Sequence, residues 1–271
     1  MTLSTQEKKL VRELVRYYES YRDEIKSFVN QVHMHITDDK MLFNQIHSIR
    51  WRIKEPSHLG DSLSRKIIKA HEQNKEFDIT VDNLFSRVND LGGVRLLHLH
   101  THQFYGINNA LIASLTEGQY RLIEGPNAKT WDDESRSYFE GIGVTTEESE
   151  SLYTSVHYVI ESNKRTKYTC ELQVRTLAEE LWGEVSHAVH YPHPTESIAC
   201  REQIKVLARF TSGCSRLVDS VFRSREEYQA LIVRKETEKA NGTKKQRGIR
   251  KTAKGGGEDN TKKKARVSPR R

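Results

Sequence analysis

Glu171, Gln173 and Arg175 stand two residues apart, with Cys170, Leu172 and Val174 between them. That is the period of a strand with one buried face and one polar face carrying a carboxylate, an amide and a guanidinium. A second set is Asp90, Gly92-Gly93 and Arg95, where a hard oxygen suited to Mg²⁺ and a planar cation flank a glycine pair that lets backbone approach a ligand. In a third, Arg50, Arg52 and Lys54 alternate with Ile49, Trp51 and Ile53. A turn at Glu55–Gly60 follows, then a helix starting at Asp61 or Ser62 and bearing Ser62 and Lys66, the parts of a polyphosphate cradle. In a fourth, Tyr153, Ser155 and His157 share a strand face, and an aromatic, a hydroxyl and an imidazole suit a nucleobase. Two carboxylates on separate strands among many cations suit metal-dependent phosphoryl transfer, where catalysis is chiefly positioning and charge stabilisation. No P-loop, G-x-S-x-G, H-E-x-x-H or kinase signature occurs. His98, His100 and His102 alternate without a Cys or carboxylate at ligand spacing, so a zinc site is not expected.

The elements that must position these groups are legible to different degrees. Leu10, Leu14, Tyr17, Tyr21, Ile25, Phe28 and Val32 predict a long amphipathic helix from Thr5 to Thr37. Strands are expected at Ile46–Lys54, around Val94–Leu97, at Tyr120–Glu124, at Leu152–Ile160 and in the Glu171 stretch, with a covering helix over Gln103–Leu115. Thr176 reads as an N-cap, closed into a capping box by Glu179, for a helix with Leu177, Leu181, Val185 and Val189 four apart. The polar, acidic stretch from Gly125 to 150 reads as a loop or insertion beside the site. Beyond 194, Ile204, Leu207, Cys214, Leu217, Val221 and Tyr228 predict a helical stripe packing back on the body. The fold class is therefore α/β (α+β), a mixed sheet flanked by helices. Its expected divisions are 1–45 helical, 46–194 catalytic, 195–234 helical and 235–271 a tail.

With 35% hydrophobic and 30% charged residues, and no apolar run of the ~18–20 residues needed to span a bilayer, the chain is expected to be soluble and free of membrane. The N-terminus lacks the apolar core of a signal peptide, and three scattered cysteines fit a reducing, cytoplasmic setting. Fourteen Lys and Arg against four acidic residues lie from Lys235 onward, a net of +10 that leaves 1–234 at −3. The basic surface thus belongs to the tail, which is expected to be disordered and is a candidate for docking on tRNA or another polyanion.

Taken in order, these blocks resemble the synthetase domain of the RelA/SpoT-type alarmone synthetases, especially the short single-domain forms. The blocks are R-x-K with downstream Ser and Lys (Arg52, Lys54, Ser62, Lys66), D-x-x-G-x-R (Asp90, Gly93, Arg95), Y-x-S-x-H (Tyr153, Ser155, His157) and E-x-Q-x-R-T with a Trp- and His-bearing helix (Glu171, Gln173, Arg175, Thr176, Trp182, His187). The resemblance implies a nucleotidyltransferase-like fold and ATP-dependent transfer of pyrophosphate to the ribose 3′-hydroxyl of GDP or GTP. It implies that Arg52 and Arg95 flank the adenine and that Lys54, Ser62 and Lys66 hold the ATP phosphates. Asp90 would bind Mg²⁺, and Glu171 would bind metal or activate the hydroxyl. Tyr153 would stack on the acceptor base, with Ser155, His157, Gln173, Arg175 and His187 also on the acceptor side. The family's Gly before the stacking Tyr is Leu152 here, its upstream Lys gives way to Glu147-Glu148-Ser149-Glu150, and Glu180 stands where Asn or Asp is usual. These departures leave three readings open: a guanosine acceptor, the tRNA 3′ end or adenosine nucleotide used by a toxic branch, and a non-catalytic nucleotide- or RNA-binding regulator. Helices at both ends leave homo-oligomerisation open as well.

Overall fold

The N-terminal helix forms as its apolar spacing dictates. In the computed structural model, which describes residues 2–149, 151–190 and 195–254 with side chains as far as Lys239, α1 spans Thr5–Asp38. Ser4 caps it: Glu7 N–H donates to Ser4 Oγ at 3.3 Å while Glu7 Oε2 accepts from Ser4 N at 2.7 Å. Its buried stripe is Leu14, Tyr18, Ile25, Phe28, Val29, Val32 and Ile36, each such apolar side chain contributing about 1.5–3 kcal/mol. After the short α2 (Lys40–Phe43) come β1 (Ser48–Ile53), α3 (Pro56–Glu72), α4 (Leu84–Arg87) and β2 (Gly92–His98). Then follow α5 (Phe104–Glu117), β3 (Arg121–Thr130), α6 (Asp133–Gly141), β4 (Thr145–Glu148), β5 (Ser155–Glu161), β6 (Thr169–Thr176), α7 (Leu177–His190) and α8 (Ile198–Lys254).

The six strands form one mixed sheet in the order β1-β2-β6-β5-β3-β4. β1 and β2 are antiparallel, β2 and β6 parallel, and β5 runs antiparallel to both β6 and β3. The parallel pair matters most for function, because it sets Gly93 beside Glu171 and Arg95 beside Gln173. α1 packs on β1 and β2 so closely that a Cβ on Gly92 would lie 2.4 Å from Val29 Cγ2. The first glycine of the pair therefore admits a helix, where backbone approach to a ligand was expected.

Further expectations need correction. The 125–150 stretch is structured: β3 runs through it to Thr130, register shifts mark its Gly-Pro portion, and α6 and β4 follow. Asp132 caps α6 by accepting from Ser135 N at 2.9 Å, and Phe139 anchors that helix edge-on against Phe104. Bulging and polar side chains hide a strand of this kind from a period-2 test. Next, α3 starts at Pro56 rather than at Asp61 or Ser62, because Pro at the first helical turn gives up an N–H the helix does not use. Then α7 turns the other way: Leu181 and Val185 are exposed, while Glu179, Glu180 and Trp182 are buried. Finally, α8 is one helix that continues to Lys254, past the expected start of a disordered tail at 235; residues 255–271 lie outside the described ones.

The chain divides into two compact units, Met1–Asp219 and Ser220–Arg271. Within the first, Ile204 and Leu207 of the predicted stripe pack against Trp182, but from Thr211 onward α8 docks by a polar face. Ile204 and Ala208 are buried, but so are Thr211, Ser212, Ser215 and Asp219, whereas Leu217 is exposed. Ser212 Oγ and Arg216 Nη1 each donate to Asp132 Oδ2 at 2.7 Å, and Thr176 Oγ1 meets Ser215 Oγ at 3.0 Å. Asp219 also engages His100 Nδ1 at 2.6 Å and His102 Nδ1 at 3.0 Å, so these histidines have a carboxylate partner remote in sequence. The second unit is described as the continuation of α8, where Val221, Tyr228 and Leu231 are exposed. No described helix is long and apolar enough to cross a membrane.

Candidate active site

Along one side of the sheet lies an open cavity of about 560 Å³. β1 supplies Arg50 and Arg52, the residue after β1 is Lys54, and Asp90 sits just before β2, which supplies Arg95. β6 contributes Glu171, Gln173 and Arg175, and α7 contributes Glu184 and His187. Strand alternation and the β2–β6 register bring these groups together, as the sequence pattern expected. Two expected phosphate holders, Ser62 and Lys66, do not line the cavity. Because α3 begins earlier, His58 and Arg65 do so instead, seven residues apart and on one helical face.

The two carboxylates are held differently. Asp90 is ion-paired with the ammonium of Lys54, which is nearly buried. Glu171 accepts from both sides: His157 Nδ1 lies 2.8 Å from Oε1, and Gln173 Nε2 donates to Oε2 at 2.8 Å. Burial pushes the Glu171 carboxyl up, but the His157 and Gln173 hydrogen bonds outweigh it and hold the group below its ordinary value. Neither Tyr153 nor His157 is among the residues lining the cavity. The Tyr153 hydroxyl meets His157 Nε2 at 2.9 Å, and its ring lies parallel to Trp182 with centroids 6.3 Å apart. Burial, with Glu171 adding to it, pushes the Tyr153 hydroxyl up to about 12. Ser155 is buried below α8, facing a small cavity with Glu179, Thr176 and Ser215.

Glu180, noted in the sequence only as a departure from the family pattern, and Glu184 form an acid pair that binds this site together. Glu180 Oε1 accepts from Arg50 Nη1 and Arg95 Nη1, both at 3.1 Å, and Oε2 pairs with Arg175 Nη2. Glu184 adds a second contact to Arg95 at 2.7 Å. This network explains the orientation of α7: arginines from β1, β2 and β6 draw its acidic face inward. Gly183 makes room for it, since a Cβ there would stand 3.0 Å from Arg175 Nη1. The signal was present as two glutamates four apart on a helix, opposite an alternating Arg50/Arg52 strand.

Glu179 belongs to the other side of the same turn. Its N–H donates to Thr176 Oγ1 at 3.2 Å, half of the expected capping box, but its carboxylate turns away to accept from Thr154 N at 3.1 Å. Burial raises this carboxyl to about 7, with the Thr154 N–H and Arg175 opposing. A folded-state value above the unfolded one favours the protonated form, so stability is fullest at low pH. It falls as pH rises from about 4.5 to about 7, by about 3 kcal/mol. Glu179→Gln keeps the acceptor for Thr154 and is expected to remove that contribution, so that melting at pH 8 relative to pH 5 rises above the wild-type difference. An unchanged difference between the two pH values would rule out this assignment.

The fold is shared with solved alarmone synthetases. A GTP pyrophosphokinase family protein from Streptococcus pneumoniae matches with TM-score 0.54 at 18% identity, over 79% of this chain and 97% of that one. Small alarmone synthetase 1 from Bacillus subtilis, bound to its product pppGpp, matches with TM-score 0.54 at 17% identity, over 78% of this chain and 98% of that one. The same Bacillus subtilis protein bound to AMPCPP matches with TM-score 0.53 at 12% identity, over 78% and 99%. These are likenesses of fold: a six-stranded mixed sheet flanked by helices, with a long N-terminal helix. No curated protein matches the sequence. The family described as the region found in RelA / SpoT proteins matches residues 51–196, more than half of the chain, and the chain belongs to that family.

Proposed function

We propose that this protein is an ATP-dependent pyrophosphokinase that makes a guanosine alarmone from GDP or GTP. The observation that carries this reading is the placement of Asp90 and Glu171 at one cavity walled by Arg50, Arg52, Lys54, Arg65, Arg95 and Arg175. A triphosphate needs such a wall, and the donor set fits Mg²⁺, which takes one or two carboxylates and fills its remaining positions with water and phosphate oxygens. Asp90 and Glu171 would hold the ion, which when bound neutralises charge on the transferring group.

Arg52 and Arg95 flank the donor purine in this reading. Lys54 exchanges its Asp90 partner for a phosphate oxygen, with His58 and Arg65 beside it. The acceptor 3′-oxygen attacks the β-phosphorus of ATP, an O–P bond forms, the bond from the β-phosphorus to the bridging oxygen breaks, and AMP leaves. Glu171 receives the hydroxyl proton. Gln173, Arg175 and His187 line the acceptor side. Glu147 and Glu148 stand in the stretch where the family has a Lys, and the loss of that cation removes a partner for an extra phosphate, so GDP should be used in preference to GTP.

With ATP labelled at its β-phosphate and Mg²⁺ present, GDP, GTP, AMP and deacylated tRNA are offered separately. The expected result is AMP release matched by a labelled 3′-pyrophosphorylated guanosine nucleotide, faster with GDP. Label appearing in tRNA or adenosine nucleotide would move the protein to the toxic branch, with the basic tail as a docking segment. Nucleotide binding without any labelled product would leave it a regulator.

A further inference from the structure

His157 was expected to touch the acceptor, but its contacts give it a different task. It is buried in β5, directly across from Gln173 of β6, and is absent from the wall of the large cavity. Both of its ring nitrogens are engaged, and the chemistry of the partners decides the tautomer. An ionised carboxylate can only accept, so the nitrogen facing Glu171 Oε1 at 2.8 Å, Nδ1, carries the proton. In the neutral ring Nε2 is then the acceptor for the Tyr153 hydroxyl at 2.9 Å, whereas an imidazolium would donate from both nitrogens. A hydroxyl donating to one nitrogen is what keeps the proton on the other.

The Tyr153 ring is in turn parallel to Trp182, whose indole N–H donates to the Ile204 carbonyl at 3.0 Å. A continuous run of contacts thus leads from the α7–α8 packing through Tyr153 and His157 to one oxygen of Glu171. Gln173 fixes the other oxygen. A carboxylate has about four lone-pair directions, and two donors, one per oxygen, leave one direction on each for the cavity. Without His157 only the Gln173 hydrogen bond opposes turning of the Glu171 carboxylate about its terminal torsion, which has no sharp rotamer wells.

We propose that His157 is a positioning residue for Glu171, locked in its Nδ1–H form by the Tyr153 hydroxyl, and is not an acceptor contact. The proposal rests on the pyrophosphokinase reading, within which it assigns His157 a role in turnover rather than in binding. Its substrate-free half is testable by itself.

Replacement by Asn puts an amide N–H where imidazole Nδ1 stood; replacement by Gln puts it near Nε2. With ATP and GDP, His157→Asn should keep kcat within about 3-fold of wild type, because the bond to Glu171 survives. His157→Gln and His157→Ala should lose about 10–100-fold in kcat, the range for residues that orient a catalytic ligand. KM for both nucleotides should stay within about 2-fold in all three variants. An acceptor KM raised about 10-fold or more with kcat retained would make His157 an acceptor contact and overturn the proposal. So would His157→Asn falling as far as His157→Ala while melting like wild type. The second measurement needs no turnover: nitrogen NMR of the wild-type chain should show His157 protonated at Nδ1, shifting toward a mixture of tautomers in Tyr153→Phe. An Nε2–H tautomer in wild type overturns the proposal whatever the enzyme does. Loss of all product in the wild-type chain, with the Nδ1–H signature present, would instead defeat only the pyrophosphokinase reading.

Discussion

A Glu171→Gln protein is expected to bind ATP and GDP about as tightly as wild type and to turn them over on the order of 10²–10⁴-fold more slowly. The magnitude is that of losing a positioned general base, and any share in holding Mg²⁺ adds to it. The substitution is isosteric but not silent in the fold. Both Glu171 oxygens accept from donors, His157 Nδ1 and Gln173 Nε2. A new amide must turn its NH₂ toward one of them, leaving that donor without an acceptor at about 1–3 kcal/mol. For a domain of this size that lowers Tm by roughly 2–12 °C. Single-turnover rates at a temperature where both proteins are folded, set beside calorimetric nucleotide affinities, separate the two effects. Turnover within about 5-fold of wild type would remove Glu171 from the chemistry.

Glu171, Gln173 and Arg175 were legible in the sequence because a strand ties spacing to direction, so that residues two apart must face the same way, whereas Asp90 and Arg95 were legible by their types around a glycine pair. Once β2 and β6 are parallel neighbours, two such faces become one surface. Helices gave less away. On α7 the conspicuous feature is Leu181 and Val185, yet these face outward, since a stripe four apart shows that a helix has two faces without saying which meets the body. What turned α7 was charge from β1, β2 and the end of β6, and of these Arg50 and Arg95 are distant in sequence and invisible to a local window. On α8 the stripe holds at Ile204 and Leu207 but fails from Thr211 onward for a related reason: that docking face meets Asp132, His100, His102 and Thr176 through hydrogen bonds, which leave no hydropathy signature. Ser62 and Lys66 miss the cavity, and their helix begins five or six residues earlier than its polar residues suggest. Pro56 marks the start, and it had been taken for the turn before it.

Glu180 should prove the most sensitive structural position in the site. Its side chain is almost wholly buried, as is that of Arg175, and it neutralises Arg50, Arg95 and Arg175 together. Burial and the neighbouring Arg95 both work against the charge on Arg175, and Glu180 is what opposes them. Glu180→Ala leaves a buried guanidinium without its counter-charge, a loss on the order of 3–5 kcal/mol when one partner of a buried pair is removed. Glu184 cannot replace it, because it is half exposed and contacts only Arg50 and Arg95. Removing the cation as well should restore part of the loss: Glu180→Leu with Arg175→Met should be more stable than Glu180→Leu alone, since an apolar pair of similar volume fills the space without a stranded charge. Urea unfolding of the four proteins in that cycle measures the coupling directly, with an expected value of about 0.5–3 kcal/mol. Additive effects, or a Glu180→Ala protein as stable as wild type, would mean that the arginines stay in place by packing alone. The same variants report on binding. With Glu180 gone, Arg50 and Arg95 keep only Glu184 between them, so a triphosphate meets two less neutralised cations and should bind more tightly even as the fold weakens. Tighter ATP binding in a less stable protein is an outcome that general misfolding does not produce, and it would identify Glu180 as a carboxylate that competes with the nucleotide for Arg50 and Arg95.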